Sequence, residues 1–288
     1  MSNLMKTLTI GNASYEVCDA NARETLESKA SYADMNAAVK KAAPRNLLDN
    51  SDFTNPVNQR GKTIYNGAGV SIDRWKAFHT DTIHEVITGQ GVKASGSSPN
   101  MYQVINLNEI DTSRVMTAAC CDVDNNIFIW SGIPSATAQN PVCVYLSGAS
   151  CLFRLSAVKT WKWAALYYGE YTIDTLPEYQ PKGYGQELAE CQRYTIKLGG
   201  VMRYKACQFT SSLIDFVIPL PVTMRVIPSV ESGTINVMSS GATITDFVST
   251  IHELQPNGIV VRATKSGHGL DFLTTMLDLD DLILSANL

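Results

Sequence analysis

Asp122-Val123-Asp124-Asn125-Asn126-Ile127-Phe128-Ile129-Trp130 is the stretch that shows the architecture most plainly. Asp and Asn side chains bond their own backbone and favour a tight turn, and the short apolar run after them has the length of a strand. The same texture spreads outward from here, starting at Asn46: Val70-Ser71-Ile72, Met101 to Leu107 and Val142 to Leu146 are short alternating runs set apart by Gly, Pro, Asn and Ser. Such spacing predicts an all-β jelly roll or sandwich over residues 46–198. After Leu198-Gly199-Gly200 a second set begins, with Phe209, Leu213 to Ile218, Met224 to Val226, Ile235-Asn236-Val237 and Gly258 to Ala263. We read it as a smaller β-domain, 199–288, with the boundary near Gly199. Leu282 to Leu288 reads as a terminal strand, with Asp278, Asp280 and Asp281 as a charged lead-in that discourages edge pairing.

The first 45 residues read differently. Thr7 to Ile10 and Tyr15 to Val17 alternate around Gly11-Asn12, which predicts a hairpin over residues 6–18. Asp19 is placed to cap a helix that runs through Ala43 and stops at Pro44. Tyr32, Met35, Val39 and Ala42 share one stripe of that helix, whereas Thr25 and Ser28 interrupt it. The stripe suits either a short coiled coil with other copies or a single helix docked on the next domain.

Composition narrows the function classes. A chain of 288 residues with 45% hydrophobic and 17% charged residues is globular, not disordered. A net charge of −4 offers no basic footprint for nucleic acid. The N-terminus lacks a signal-peptide core and no run of 18 apolar residues occurs, so we expect synthesis in the cytoplasm and no membrane insertion. The seven cysteines show no metal-binding spacing and read as buried thiols.

A search for chemistry favours binding over catalysis. Aromatic residues are densest between Trp161 and Tyr171. Strand alternation puts Trp161, Trp163, Ala165 and Tyr167 on one face and Lys162, Leu166 and Tyr168 on the other. One face must be core. Either Trp161 and Trp163 form a platform for sugar rings, or they are inside and Tyr168 is outside; Tyr102 is a further candidate. Asp122 to Asn126 loosely resembles the start of a calcium loop, but the later Gly and bidentate Glu are missing, and a capped hairpin turn accounts for the same residues. Glu170, Asp174 and Glu178 are near one another only in sequence, and His79 and His84 have the wrong step for a helical zinc pair. We expect no catalytic residues, no metal and no cofactor.

Several segments, taken in order, resemble the tail-fibre and receptor-binding proteins of phages, prophages and contractile particles of Gram-positive hosts. They are Thr9 to Ala22; Asn46-Leu47-Leu48 with Asn50, Phe53 and Asn58-Gln59-Arg60-Gly61; Asp73-Arg74-Trp75; Gly183 to Tyr194; Pro221 to Val230; and Ser285 to Leu288. The resemblance implies a jelly roll like those of carbohydrate-binding modules, a smaller β-domain after it, and a homotrimeric virion component. Such a component would attach to other tail or baseplate proteins through its N-terminal region and hold a host cell-surface glycan. It departs from that pattern in having Tyr194-Thr195 where the family has tandem tyrosines, and in lacking a long shaft, which suits a short fibre or a baseplate tip. A purely structural baseplate or anchoring role is the alternative, with a glycan depolymerase behind it. Apart from any family, Asn46, Asn50 and Asp52 shape a turn before the first strand, and Arg74 and Arg193 each have an aromatic or acidic partner to find.

Overall fold

Strand content dominates the computed structural model, which describes residues 7–10, 13–16, 44–202, 204, 206–210, 212–239, 242–244, 246–266 and 275–286. The chain is all-β, as its alternating runs predict. At the N-terminus β1 (Thr7–Ile10) and β2 (Ala13–Glu16) pair antiparallel, with Ile10 opposite Ala13. The helix predicted over Asp19–Ala43 lies outside the described residues.

The first sandwich has a six-stranded sheet and a five-stranded sheet. The six-stranded order is β10 (Ile127–Gly132), β9 (Met116–Asp122), β13 (Lys159–Tyr168), β7 (Gly91–Ser95), β6 (Ile83–Ile87) and β3 (Ile64–Asn66). The five-stranded order is β11 (Val142–Ser147), β12 (Ser150–Leu155), β8 (Met101–Ile105), β5 (Trp75–Ala77) and β4 (Gly69–Val70). The chain lays down strands in one sheet and then the other, the winding of a jelly roll. Alternate side chains of both sheets enter one core: Val92, Met116, Ala118 and Leu166 from the first, Met101, Val144, Phe153 and Leu155 from the second. Trp75 stands at its centre, edge-on to Phe53 at 5.0 Å and to Phe153 at 5.9 Å, and its Nε1 donates to the Asn50 carbonyl at 2.8 Å.

The second sandwich pairs β14 (Thr195–Met202), β21 (Thr275–Ser285), β17 (Ser229–Ser239) and β18 (Ala242–Ile244) in one sheet. The other sheet runs β15 (Ala206–Thr210), β16 (Leu213–Pro219), β20 (Gly258–Thr264) and β19 (Val248–Gln255). Ile196, Leu277, Leu279 and Leu284 meet Ile214, Phe216, Ile259 and Val261 in a separate core. Gln59 and Arg60 tie this sandwich to the first. Gln59 Nε2 donates to the Thr195 carbonyl at 2.7 Å, and Arg60 reaches Glu231 with Nη2 at 2.7 Å and Nε at 3.1 Å.

Gly199, near the expected boundary, lies inside β14. Three elements differ from the sequence reading. Met224 to Val226 forms no strand; Met224 plugs the second core from an irregular segment between Pro221 and Pro228. The last strand begins at Thr275 and takes in Asp278, Asp280 and Asp281; it is central, bonded to β14 on one side and β17 on the other. The aspartates are accommodated because they leave the core positions to Leu277, Leu279 and Leu282, and because the register shifts where Asp281 takes a left-handed backbone (φ 48°). Gly233 (φ 115°) sits at that shift, and a Cβ there would lie 2.3 Å from the Leu282 Cα. Finally, Tyr184–Gln192 is an α-helix, α1, which the sequence reading passed over. It is short, follows Gly183 and carries only Glu187 and Cys191 as buried residues, so its apolar period is faint.

Candidate functional site

The aromatic stretch on β13 does not present the face that alternation predicts. Trp161 stands opposite Asp122 and Trp163 opposite Cys121, so two residues of β13 advance against one of β9: a bulge at Lys162. The bulge reverses the phase. Trp161 points inward with Ala164 and Leu166, and Tyr168 packs against the same core, whereas Trp163 and Tyr167 point the other way. Trp161 is 0% exposed, against the Phe128 ring at 5.8 Å. Gly91 makes room for this crossing; at φ 148° its missing Cβ would lie 2.1 Å from the Trp161 carbonyl oxygen.

The outer side of β13 is covered as well. Residues 47–53 run along its free edge, with Leu47 N donating to Leu166 O, Ala164 N to Ser51 O and Phe53 N to Lys162 O at 2.9 to 3.0 Å. Trp163 is half-buried beneath Tyr179, stacked at 4.8 Å and 3°, and Tyr167 is 2% exposed, edge-on to Tyr171 at 6.2 Å. Burial pushes the Tyr167 hydroxyl up to about 12. Tyr168 takes a hydrogen bond from Asp111 N at 2.7 Å and lies under the Arg114 guanidinium at 4.2 Å. Trp161, Trp163 and Tyr167 therefore form no open platform, a correction that follows from the bulge and from the Tyr171 and Tyr179 rings on the outer face.

Tyr102 stands elsewhere, on the outer face of the five-stranded sheet. Met101, Phe153 and Leu155 face the core, so their strand neighbours Tyr102 and Arg154 face out. Register places Lys76 opposite Tyr102 and Tyr102 opposite Arg154, a cross-strand row. Phe78, just past β5 and 40% exposed, lies flat on Tyr102 at 3.8 Å and 13°. On the far side Arg154 sits over the Tyr145 ring at 5.7 Å, while its Nη2 donates to Asn140 Oδ1 at 2.7 Å. Partial burial raises the Tyr102 and Tyr145 hydroxyls above their ordinary values and lowers the Lys76 ammonium, with Arg74 adding to the latter. Rings, a guanidinium, an ammonium and an amide thus share one partly desolvated strip. Sequence separation hides it: Phe78, Tyr102, Tyr145 and Arg154 come from four different segments.

Other candidates resolve as supports of the fold. Asp122 closes the β9–β10 turn, its Oδ1 accepting from Asp124 N and Asn126 N, and its Oδ2 taking Lys159 Nζ at 2.7 Å. Its burial would raise the carboxyl, but the Lys159 and Asn126 hydrogen bonds prevail and hold it at about 2. Lys159 already supplies the cation that a calcium ion would bring. Asp49, Glu187 and Glu190 gather carboxylate oxygens within 4.8 Å, yet the Lys182 ammonium reaches all three, at 3.6 Å from Asp49 and 3.8 Å from Glu187. Asn50, left-handed at φ 51°, bonds Val57 O and Asp73 O, and its own N–H donates to Glu187. Arg74 finds Asp49 at 2.9 Å and the Tyr194 ring at 3.4 Å. The segments from Asn46, Asp73 and Gly183 so converge on one hub. Glu170, Asp174, Glu178 and His79 are each exposed, and His84 is buried with Nε2 on Asn100 O at 2.7 Å.

Compared with known proteins, the chain matches no family, no curated protein and no solved structure.

Proposed function

We propose that this chain is a non-catalytic receptor-binding or fibre component of a phage-type tail particle, a homotrimer that holds a cell-surface glycan on the outer face of the five-stranded sheet. The observation that carries the glycan reading is the stacked Phe78–Tyr102 pair beside Arg154 and Lys76. Flat apolar rings suit the C–H faces of a pyranose, and fixed N–H donors suit its hydroxyls. The row contains no carboxylate, which favours holding a sugar over splitting an acetal. The virion setting rests on the ordered resemblance of Asn46–Gly61, Asp73–Trp75, Gly183–Tyr194 and Pro221–Val230 to tail-fibre proteins.

A shallow strip of this kind gives weak affinity per site, on the order of 0.1 to 1 mM, which three linked copies raise by avidity. The test is a glycan array probed with the full chain, with light scattering on the same sample. Retention of a defined glycan set that Tyr102→Ala abolishes supports the reading. An array with no retained glycan would leave a structural role in the particle, and a stable monomer at micromolar concentration would remove the trimer.

A further inference from the structure

We infer that the cleft at the C-terminal end of α1 is a separate saccharide subsite, one that takes a sugar bearing a carboxylate; this rests on the glycan-binding reading above. The cleft holds about 310 Å³ and is walled by Arg45, Arg74, Glu109, Ile110, Arg193 and Tyr194. That volume is at the lower end for ligand pockets and suits one sugar ring rather than an extended chain.

The charges in the cleft divide into spent and unspent. Arg74 forms the inner wall and is fully engaged: Asp49 Oδ2 at 2.9 Å, the Val104 carbonyl at 3.2 Å and the face of Tyr194 at 3.4 Å. Asp49 also faces Lys182 at 3.6 Å, so its charge is compensated on both sides. Arg45 and Arg193 are different. Both are exposed, and among the described residues neither makes an ion pair. Arg45 and Arg193 against Glu109 leave the cleft one positive charge in excess, which favours an anionic ligand. The guanidinium fork matches a planar carboxylate in two parallel hydrogen bonds.

The rest of the wall selects a sugar carboxylate over a bare anion. Tyr194 and Ile110 are buried and close the floor of the cleft, the face of Tyr194 being taken by Arg74. Glu109 is exposed, with both its oxygens 3.4 Å from the Tyr194 hydroxyl. A carboxylate repels a second anion and accepts hydroxyl protons, so Glu109 sets the polarity: the ligand's acid toward Arg45 and Arg193, its hydroxyls toward Glu109.

The test titrates the full chain with D-glucuronate, D-glucose, acetate and inorganic phosphate, followed by ligand-observed NMR. Glucuronate should bind, with glucose and acetate each about tenfold weaker, because each lacks one half of the recognised pattern. Arg193→Gln and Arg45→Gln should each weaken glucuronate about tenfold without moving the melting temperature, since both side chains are exposed. Added salt should weaken it too. Absence of glucuronate binding, equal binding of glucuronate and glucose, unchanged affinity in both variants, or phosphate binding more tightly than glucuronate would each overturn the proposal. The two readings fail separately, because the array reports on the Tyr102 strip, whereas the titration reports on the cleft alone.

Discussion

Two aromatic regions of the first sandwich, β13 and the outer row at Tyr102, carry similar side chains and spend them in opposite ways. On β13 the rings of Trp161 and Tyr167 are buried on both sides of the sheet, because the bulge at Lys162 sends one inward and Tyr171 packs against the other. In the outer row Phe78 and Tyr102 stack on each other with solvent beyond them. Aromatic density along a strand therefore says little about binding. What matters is whether another segment covers the face, as Tyr171 and Tyr179 do here.

The largest expected effect tests that contrast directly. Trp161→Ala should cost roughly 3–5 kcal/mol in denaturant unfolding, while Tyr102→Ala costs under about 1 kcal/mol, as truncations of a filled core and of a half-exposed ring. Comparable losses for the two would erase the distinction. Next comes Gly91→Ala. Its Cβ would strike the Trp161 carbonyl at 2.1 Å from a left-handed backbone, so a loss of about 2 kcal/mol or more is expected in the same assay. A neutral result would mean that the bulge is not held as described.

Binding should reverse the order. Tyr102→Ala is expected to lower glycan retention by roughly ten- to a hundredfold, matching the loss of about 1.5–3 kcal/mol for an aromatic contact. Trp163→Ala should leave retention intact while loosening Tyr179, visible as faster amide exchange of residues 47–53.

The smallest effect is on pH. Burial holds the His84 pKa below its ordinary value, against the pull of the Asn100 carbonyl. The unfolded chain thus takes up the proton first, and the stability present above the ordinary histidine value is lost as pH falls through the folded one. Asp73 works in the opposite sense. Burial raises its carboxyl to about 6, so it adds stability at low pH that is lost as pH rises from its ordinary value through about 6. His84→Gln should therefore flatten the acid side of a stability profile, and Asp73→Asn should steepen it. No change in either variant would place both groups nearer solvent than their burial implies.

Much of the architecture is legible in the alternating runs. Leu213 to Ile218 and Val142 to Leu146 become β16 and β11 because apolar residues at every second position can bury only as strands. Period two also caused the main error, since Trp161 and Trp163 share a face only if no residue is inserted between them, and nothing local at Lys162 announces the bulge. Helix α1 was missed because Glu187 and Cys191 are its buried residues, and one of them is charged. Arg74 was expected to have an aromatic or acidic partner; the structure supplies both, Tyr194 and Asp49, and neither is the adjacent Trp75.

By itself, then, the sequence determined an all-β chain with two sets of strands, because the side-chain period of a strand is local and is written in consecutive residues. Only the tertiary structure decided which aromatic face is wet and which charges remain unspent. Those outcomes depend on partners far along the chain, such as Phe78 with Tyr102, Lys182 with Asp49, or Arg45 and Arg193 across one cleft, and no local pattern encodes a neighbour that folding brings from elsewhere.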